Sequence, residues 1–302
     1  MQKIFYIGLL WIVCSTLAVG QRLPKETDWQ KDGLLGKVKS IIVKEYIIEN
    51  DSTLFSYKNY VTFYDESGYL TEIKDFDEDG TVSNRQSFIY TKKRTQCEEL
   101  SYDEDGKLTE KIVTKLNSTG RPTKSMVVNS QGKIQEKIVY QYDEKDRLIQ
   151  QSGYNEKGKL SEKYYAAYER DVLTQTLHFS ESENKKILYK FNAQKRPIEQ
   201  MVYDSKTNVF IEKITQQFDQ NNNLIEKKTW NEKNDLKTSI LYEYDERNNV
   251  SKCVMSDVEK NIWVTSYGYQ YDKYNNWIVQ IVCNGEEKQA ETRIERSIEY
   301  YE

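Results

Sequence analysis

Tyr64-Asp65-Glu66-Ser67-Gly68-Tyr69-Leu70 decides how this chain folds, because its pattern returns along the length of the sequence. Tyr102-Asp103-Glu104-Asp105-Gly106-Lys107-Leu108 and Tyr154-Asn155-Glu156-Lys157-Gly158-Lys159-Leu160 repeat it. Each copy runs aromatic, Asp or Asn, two polar residues, Gly, any residue, then an aliphatic one. Phe218-Asp219-Gln220-Asn221-Asn222-Asn223-Leu224 and Tyr244-Asp245-Glu246-Arg247-Asn248-Asn249-Val250 put Asn where Gly stood. Gly and Asn enter the left-handed backbone region most easily, and an Asp or Asn side chain caps its own turn. The pattern is therefore a hairpin turn, and its recurrence marks a repeat protein.

Outward from Tyr64, the anchors Phe76, Tyr90, Tyr102, Leu116, Val128, Tyr142, Tyr154 and Tyr168 follow at alternating spacings of 12 and 14, a 26-residue double unit. Beyond Tyr168 the rhythm loosens through Phe179, Phe191, Tyr203, Phe218, Trp230 and Tyr244 to Tyr271. Taking about five residues for each turn leaves roughly seven to nine for a strand. Between turns the apolar period is two. Simple alternation puts Leu108, Glu110, Ile112, Thr114 and Leu116 on one face and Thr109, Lys111, Val113 and Lys115 on the other. The chain is predicted to be all-β, a long antiparallel meander of about twenty short strands. Open sheets rarely exceed about ten strands without curling, so this one must twist or roll.

Composition narrows the field further. The 302 residues are 37% apolar and 30% charged, with net charge -4, 24 Tyr, 9 Phe and 5 Trp. A slightly acidic, evenly mixed charge gives no electrostatic reason to bind nucleic acid. Met1 to Gly20 reads as a signal peptide: Lys3 starts it, Ile4 to Val13 is apolar, and Ala18-Val19-Gly20 offers a cleavage site. An alternative in which Cys14 is acylated lacks the small residue required at Trp11-Ile12-Val13. No apolar run beyond this segment is long enough for a transmembrane helix. A membrane barrel is disfavoured because Lys111, Lys137 and Lys163 recur on a face that would meet lipid.

Three divisions follow: residues 1–20 as signal peptide, 21–56 as an N-terminal capping-strand segment, and 57–302 as the β-repeat domain. Within the second, Gly36-Lys37-Val38-Lys39-Ser40 leads into a strand expected to protect the first sheet edge, while Arg293 to Tyr301 closes the far end. Cys253 and Cys283 fall on strands two spacings, about 9.5 Å, apart in a plain meander. That separation exceeds disulfide reach, so they are expected to be free thiols.

At these turns the chain resembles the YD-repeat, or RHS-repeat, proteins, over most of residues 57 to 283. It is similar in particular to exported proteins of Bacteroides-type organisms, in the opening Leu35-Gly36-Lys37-Val38-Lys39-Ser40 and the ending Tyr271-Asp272-Lys273-Tyr274-Asn275-Asn276-Trp277. The resemblance implies a sheet of hairpins. It implies no enzyme, and the chain is too short for the full shell of the large family members.

Residues that could carry chemistry are few. His178 is the single histidine and has no nucleophile motif near it. Glu72, Glu110, Glu136, Glu162 and Glu226 each sit two residues after an aliphatic strand start, so alternation places them in one row. That row would either line a groove or form a solvated rim paired with lysines. Asp75, Asp77, Asp79 and Gly80 match the front of a calcium loop, but Gln86 stands where a bidentate Glu belongs. Trp230, Trp263 and Trp277 are candidate platforms for sugars or protein partners. Asp51-Ser52-Thr53 resembles an O-glycan acceptor.

The expected function is that of an exported, non-catalytic β-repeat protein, a binding or structural module of the cell envelope or exterior. It needs no cofactor or metal, and its partner would be a glycan or another envelope or secreted protein. Two alternatives stand beside it: a carbohydrate-active enzyme using the Glu row, and a scaffold that holds a partner protein by strand addition.

Overall fold

The computed structural model describes residues 27–49, 52–91, 93–169, 172–179, 185–285 and 289–302. The signal segment, Cys14 and Asp51 lie outside them. A four-residue helix α1 (Asp28–Lys31) is followed by β1 (Val38–Glu49), β2 (Ser52–Tyr64), β3 (Leu70–Phe76), β4 (Val82–Tyr90) and β5 (Gln96–Tyr102). Next come β6 (Leu108–Leu116), β7 (Pro122–Asn129), β8 (Ile134–Tyr142), β9 (Leu148–Asn155), β10 (Leu160–Glu169), β11 (Val172–Phe179) and β12 (Lys185–Phe191). The chain continues through β13 (Pro197–Asp204), β14 (Phe210–Phe218), β15 (Leu224–Trp230) and β16 (Leu236–Tyr244). It finishes with β17 (Val250–Asp257), β18 (Ile262–Tyr271), β19 (Trp277–Asn284) and β20 (Gln289–Tyr300).

All twenty strands form one antiparallel sheet, each paired with its neighbours in the chain. β1 pairs with β2 on one side and with β20 on the other, from Val38↔Tyr300 to Ile47↔Thr292. The rolled meander thus closes on itself. The expected capping strand does cover β2, but its second side is covered by the last strand, so neither terminal strand is a protected edge: both are internal.

The turns explain the hairpins. Asp65 O accepts from Gly68 N at 2.9 Å, and Asp65 N donates to Tyr69 O at 2.8 Å. The Asp65 carboxylate also accepts from the backbone N–H groups of Ser67 and Tyr69. This is a turn followed by one left-handed residue, Gly68 at φ +83°, the geometry of a three-residue hairpin loop with a bulge. Asp103, Asn117, Asn129, Asp143, Asp219 and Asp245 act likewise on their own turns.

The bulge corrects the simple alternation. Tyr64 faces Leu70, but Phe63 faces Glu72, so Thr71 is an extra residue and the face of β3 reverses there. Leu108 likewise pairs with Tyr102, while Glu110 pairs with Ser101. The aliphatic start therefore shares a face with the aromatic across the turn, not with the rest of its own strand. Following the registers around the ring, Tyr64, Tyr142, Tyr168 and Tyr244 close even-numbered strands on one face. Phe76, Tyr102, Tyr154 and Trp230 close odd-numbered strands on the other. Two turns of opposite facing make one period, and this is why the double unit has 26 residues.

Most buried apolar side chains lie on the Tyr64 face, although Val61, Ser40 and Ser152 are buried on the opposite one and Trp263 is exposed on the Tyr64 one. Ile41, Val43, Val127, Ile138, Tyr164, Ala166 and Val202 are buried on the Tyr64 face, whereas Ile42, Ile89, Tyr165 and Leu241 stand exposed on the opposite one. Curvature crowds side chains on the concave side, so the Tyr64 face lines the inside of the ring. The core is local and thin. One cluster joins Leu34, Val38, Ile41, Val43 and Tyr64; another joins Tyr164, Ala166 and Phe191.

Candidate functional site

The seam where β1 meets β20 carries a dense set of side-chain hydrogen bonds. An arm from α1 to Lys37 crosses it. Thr27 and Gln30 cap α1 reciprocally, with Thr27 N donating to Gln30 Oε1 at 2.8 Å and Gln30 N to Thr27 Oγ1 at 3.3 Å. Asp28 then accepts from Leu70 N at 2.7 Å, Trp29 N donates to Gly68 O at 3.2 Å, and Tyr64 Oη donates to Asp32 at 2.9 Å. Further on, Leu35 N donates to Asn276 Oδ1 at 2.8 Å, and Asn276 Nδ2 returns to Leu35 O at 2.7 Å. Tyr301 N closes the set on Lys37 O at 2.8 Å.

Beside this clamp lies an open cleft of about 610 Å³. Asp32 to Leu35 of the arm, Glu246, Arg247 and Asn249 of the β16–β17 turn, Asn275 to Trp277 of the β18–β19 turn, Tyr271 and Arg296 line it. Arg296 lies 3.5 Å over the Trp277 ring, and Arg247 lies 4.4 Å over the Tyr271 ring. Burial pulls the Arg296 guanidinium below its ordinary range, opposed by Tyr60, Tyr64 and Asp32, and its Nε is buried without a hydrogen-bond partner. Asp245, which opens the turn that carries Arg247, accepts Tyr271 Oη at 2.5 Å. Asp272 likewise accepts Tyr300 Oη.

The predicted Glu row is split by the bulges. Glu110, Glu136 and Glu162 lie on the concave face, joined there by Glu99. Glu72 and Glu226 lie on the convex face, paired with Lys74 at 2.8 Å and Lys228 at 2.6 Å. Burial, reinforced by Glu162 and Glu110, raises Glu136 above its ordinary pKa; burial and Glu110 do the same for Glu99. Glu162 accepts from Gln151 Nε2 at 3.2 Å, and Gly153 opposite leaves the space its chain occupies.

The other candidates lie apart. The acidic stretch from Asp75 forms an ordinary hairpin turn, with Asp79 accepting from Thr81 and Asp75 from Asn84. No group of three metal-ligating side chains occurs among the described residues. Trp263 is 47% exposed, Trp230 lies under Lys213 at 4.9 Å, and Trp277 lies under Arg296 in the cleft. His178 pairs through its backbone with Lys163; its side chain and those of Ser52 and Thr53 lie outside the described residues. Cys97, Cys253 and Cys283 are free. Cys253 faces Thr265 and Cys283 faces Ser266, which puts the two thiols on alternate strands and opposite faces.

Arg247, Arg296 and Asn276 were not singled out from sequence. Asn276 stands in the ending motif of the family resemblance, whereas Arg247 and Arg296 stand in neither motif. Leu35 and Lys37 of the opening hold Asn276 and Tyr301 near the ending, so both motifs belong to one seam.

No family model matches this chain, and no curated protein does. Among solved structures it is similar to a porin-like protein from Bacteroides uniformis, at 13% identity over 87% of this chain and 96% of that one, with a TM-score of 0.41. A porin-like protein from Bacteroides vulgatus gives 11% identity, 87% and 98% coverage, and 0.33. A TcdB2–TccC3 structure gives 10% identity over 82% of this chain and 16% of that one, with 0.30.

Proposed function

We propose that this is an exported, non-catalytic protein of the YD/RHS-repeat kind, acting as a binding module of the cell envelope or exterior with its ligand in the seam cleft. One observation carries the reading: four separate pieces of chain converge on the cleft, and their hydrogen bonds hold its walls in place. The signal-like first twenty residues support export. No helix among the described residues is long and apolar enough to cross a membrane. Lys111, Lys137 and Lys163 on the convex face interrupt the apolar band that lipid would require.

A glycan-array and lysate pull-down screen on Gln21 to Glu302, with Trp277→Ala and Trp263→Ala in parallel, tests it. A ligand lost on Trp277→Ala alone supports the cleft. Turnover of a glycan or peptide substrate, abolished by a point mutant that still folds, would overturn the non-catalytic reading.

A second reading, a carbohydrate-active enzyme, is favoured by one observation. Glu136 lies on the concave face with a raised pKa, two strand spacings, about 9.5 Å, from the strands of Glu110 and Glu162. Loss of hydrolysis in Glu136→Gln would establish it. Strand addition by a partner loses its footing, because β1 and β20 already pair with each other.

A further inference from the structure

Three arginines on the rim that carries the seam have ion pairs, while Arg196 of the β12–β13 turn has none among the described residues. Arg94 pairs with Asp65 at 3.4 Å, Arg121 with Asp146 at 2.8 Å, and Arg147 with Asp143 at 2.5 Å. In each case a turn carboxylate neutralises the cation. At the seam the corresponding carboxylates are committed elsewhere: Asp245 receives Tyr271 Oη, and Asp272 receives Tyr300 Oη. Arg247 and Arg296 line one cleft, each over an aromatic ring, and neither has an ion pair among the described residues.

A guanidinium held on a ring is oriented in advance, and its planar fork fits an oxyanion through two parallel hydrogen bonds. The cleft, at about 610 Å³, is far larger than one ion. Asp32, Glu246 and Asn275 border it, so acceptors suited to hydroxyl groups surround the two cations.

We propose that the seam cleft binds an acidic oligosaccharide, with the sugar's carboxylate or sulfate between Arg247 and Arg296 and its hydroxyls on Asp32 and Glu246. This rests on the binding-module reading and names the ligand class of that site. The oxyanion gives the two guanidinium groups a counter-charge, and the hydroxyls give the acidic lining a use that a bare anion would not.

The test is calorimetric titration of the exported protein with uronate-bearing, sulfated and neutral oligosaccharides of matched length, and with inorganic sulfate. Acidic sugars are expected to bind, with neutral sugars and sulfate at least about ten-fold weaker. Arg247→Ala, an exposed change that leaves the fold intact, and Arg296→Lys, which keeps the charge but loses the fork, are each expected to weaken binding by about ten-fold or more at unchanged melting temperature. The uronate and sulfate arms tell the two anion sources apart. Equal binding of neutral sugars, or full binding by both arginine variants, would overturn the proposal while leaving a sugar-binding module standing. Inorganic sulfate binding as well as the acidic sugars would overturn the saccharide part. Absence of any glycan binding, with a protein captured through the Trp277 cleft, would also overturn it and keep the binding-module reading.

Discussion

Asn276 and Leu35 exchange two hydrogen bonds across 241 residues of chain, the amide of Asn276 donating to Leu35 O and its oxygen accepting from Leu35 N. Asn276 is only 4% exposed, so this joint between the arm and the ring has a buried amide on its ring side. Asn276→Ala is expected to lower stability by about 1–3 kcal/mol, read from urea unfolding. Asn261→Ala, at an exposed turn, serves as the comparison. Equal small losses at both sites would show that the arm contributes nothing to the closed ring.

Gly68 meets the arm at its tightest point. A Cβ there would come within 2.5 Å of the Trp29 ring, at a backbone φ of +83°. Gly106 has a similar φ of +73° with nothing within 4 Å. Gly106→Ala therefore carries only the left-handed penalty, about 1–2 kcal/mol, while Gly68→Ala adds expulsion of Trp29. Limited proteolysis near α1 should accelerate for Gly68→Ala alone. The same cleavage rate in both variants would rule out Trp29 as an anchor.

Glu136 sets a pH dependence with a defined sign. Its folded pKa lies above the ordinary 4.5, because of burial and then Glu162 and Glu110. The folded protein thus holds the proton more tightly than the unfolded chain. The penalty is full above the folded pKa, shrinks as pH falls through it, and is gone below 4.5. Glu136→Gln should stabilise the protein near about pH 7 and change little near about pH 4, in urea titrations at both values. A gain of the same size at both would assign the effect to shape rather than charge.

The thiols give a covalent check on the register. Mass analysis without reductant should find Cys97, Cys253 and Cys283 all reactive towards alkylation after unfolding. In the folded protein Cys97 should label slowly at about pH 8, because burial pushes its pKa up to about 11. A Cys253–Cys283 bridge would contradict the β17–β18–β19 pairing.

Lys260 occupies the left-handed position of its turn, at φ 65°. Lys260→Gly removes that strain and is expected to stabilise by about 0.5–1 kcal/mol once the added freedom of the unfolded chain is counted. Thermal melts of the two proteins decide it, and a fall in melting temperature would mean that the Lys260 side chain has a role of its own.

The turns and strand count were readable because their causes are local. Asp65 caps residues two and four positions away, and Gly68 adopts a conformation that its own sequence position announces. Facing was not readable, because the extra residue at Thr71 reverses everything after it while leaving the spacing even. Glu110 follows a matching bulge at Thr109, and Glu72 and Glu110 lie on opposite sides because the Tyr64 and Tyr102 turns face opposite ways. The seam was hidden for another reason: Arg296 and Trp277 are 19 positions apart on successive strands, and nothing in either stretch announces a cleft.

Closure of β1 on β20 also imposes an arithmetic on how the chain can change length. Neighbours in an antiparallel ring must alternate in direction, so the number of strands has to be even. Duplicating or deleting one turn and one strand would bring the first and last strands together pointing the same way, and the ring would gape. Duplicating 26 residues keeps the parity and simply widens it. Proteins built on this plan are therefore expected to vary in steps of two strands, a rule that length differences among natural or engineered relatives can test.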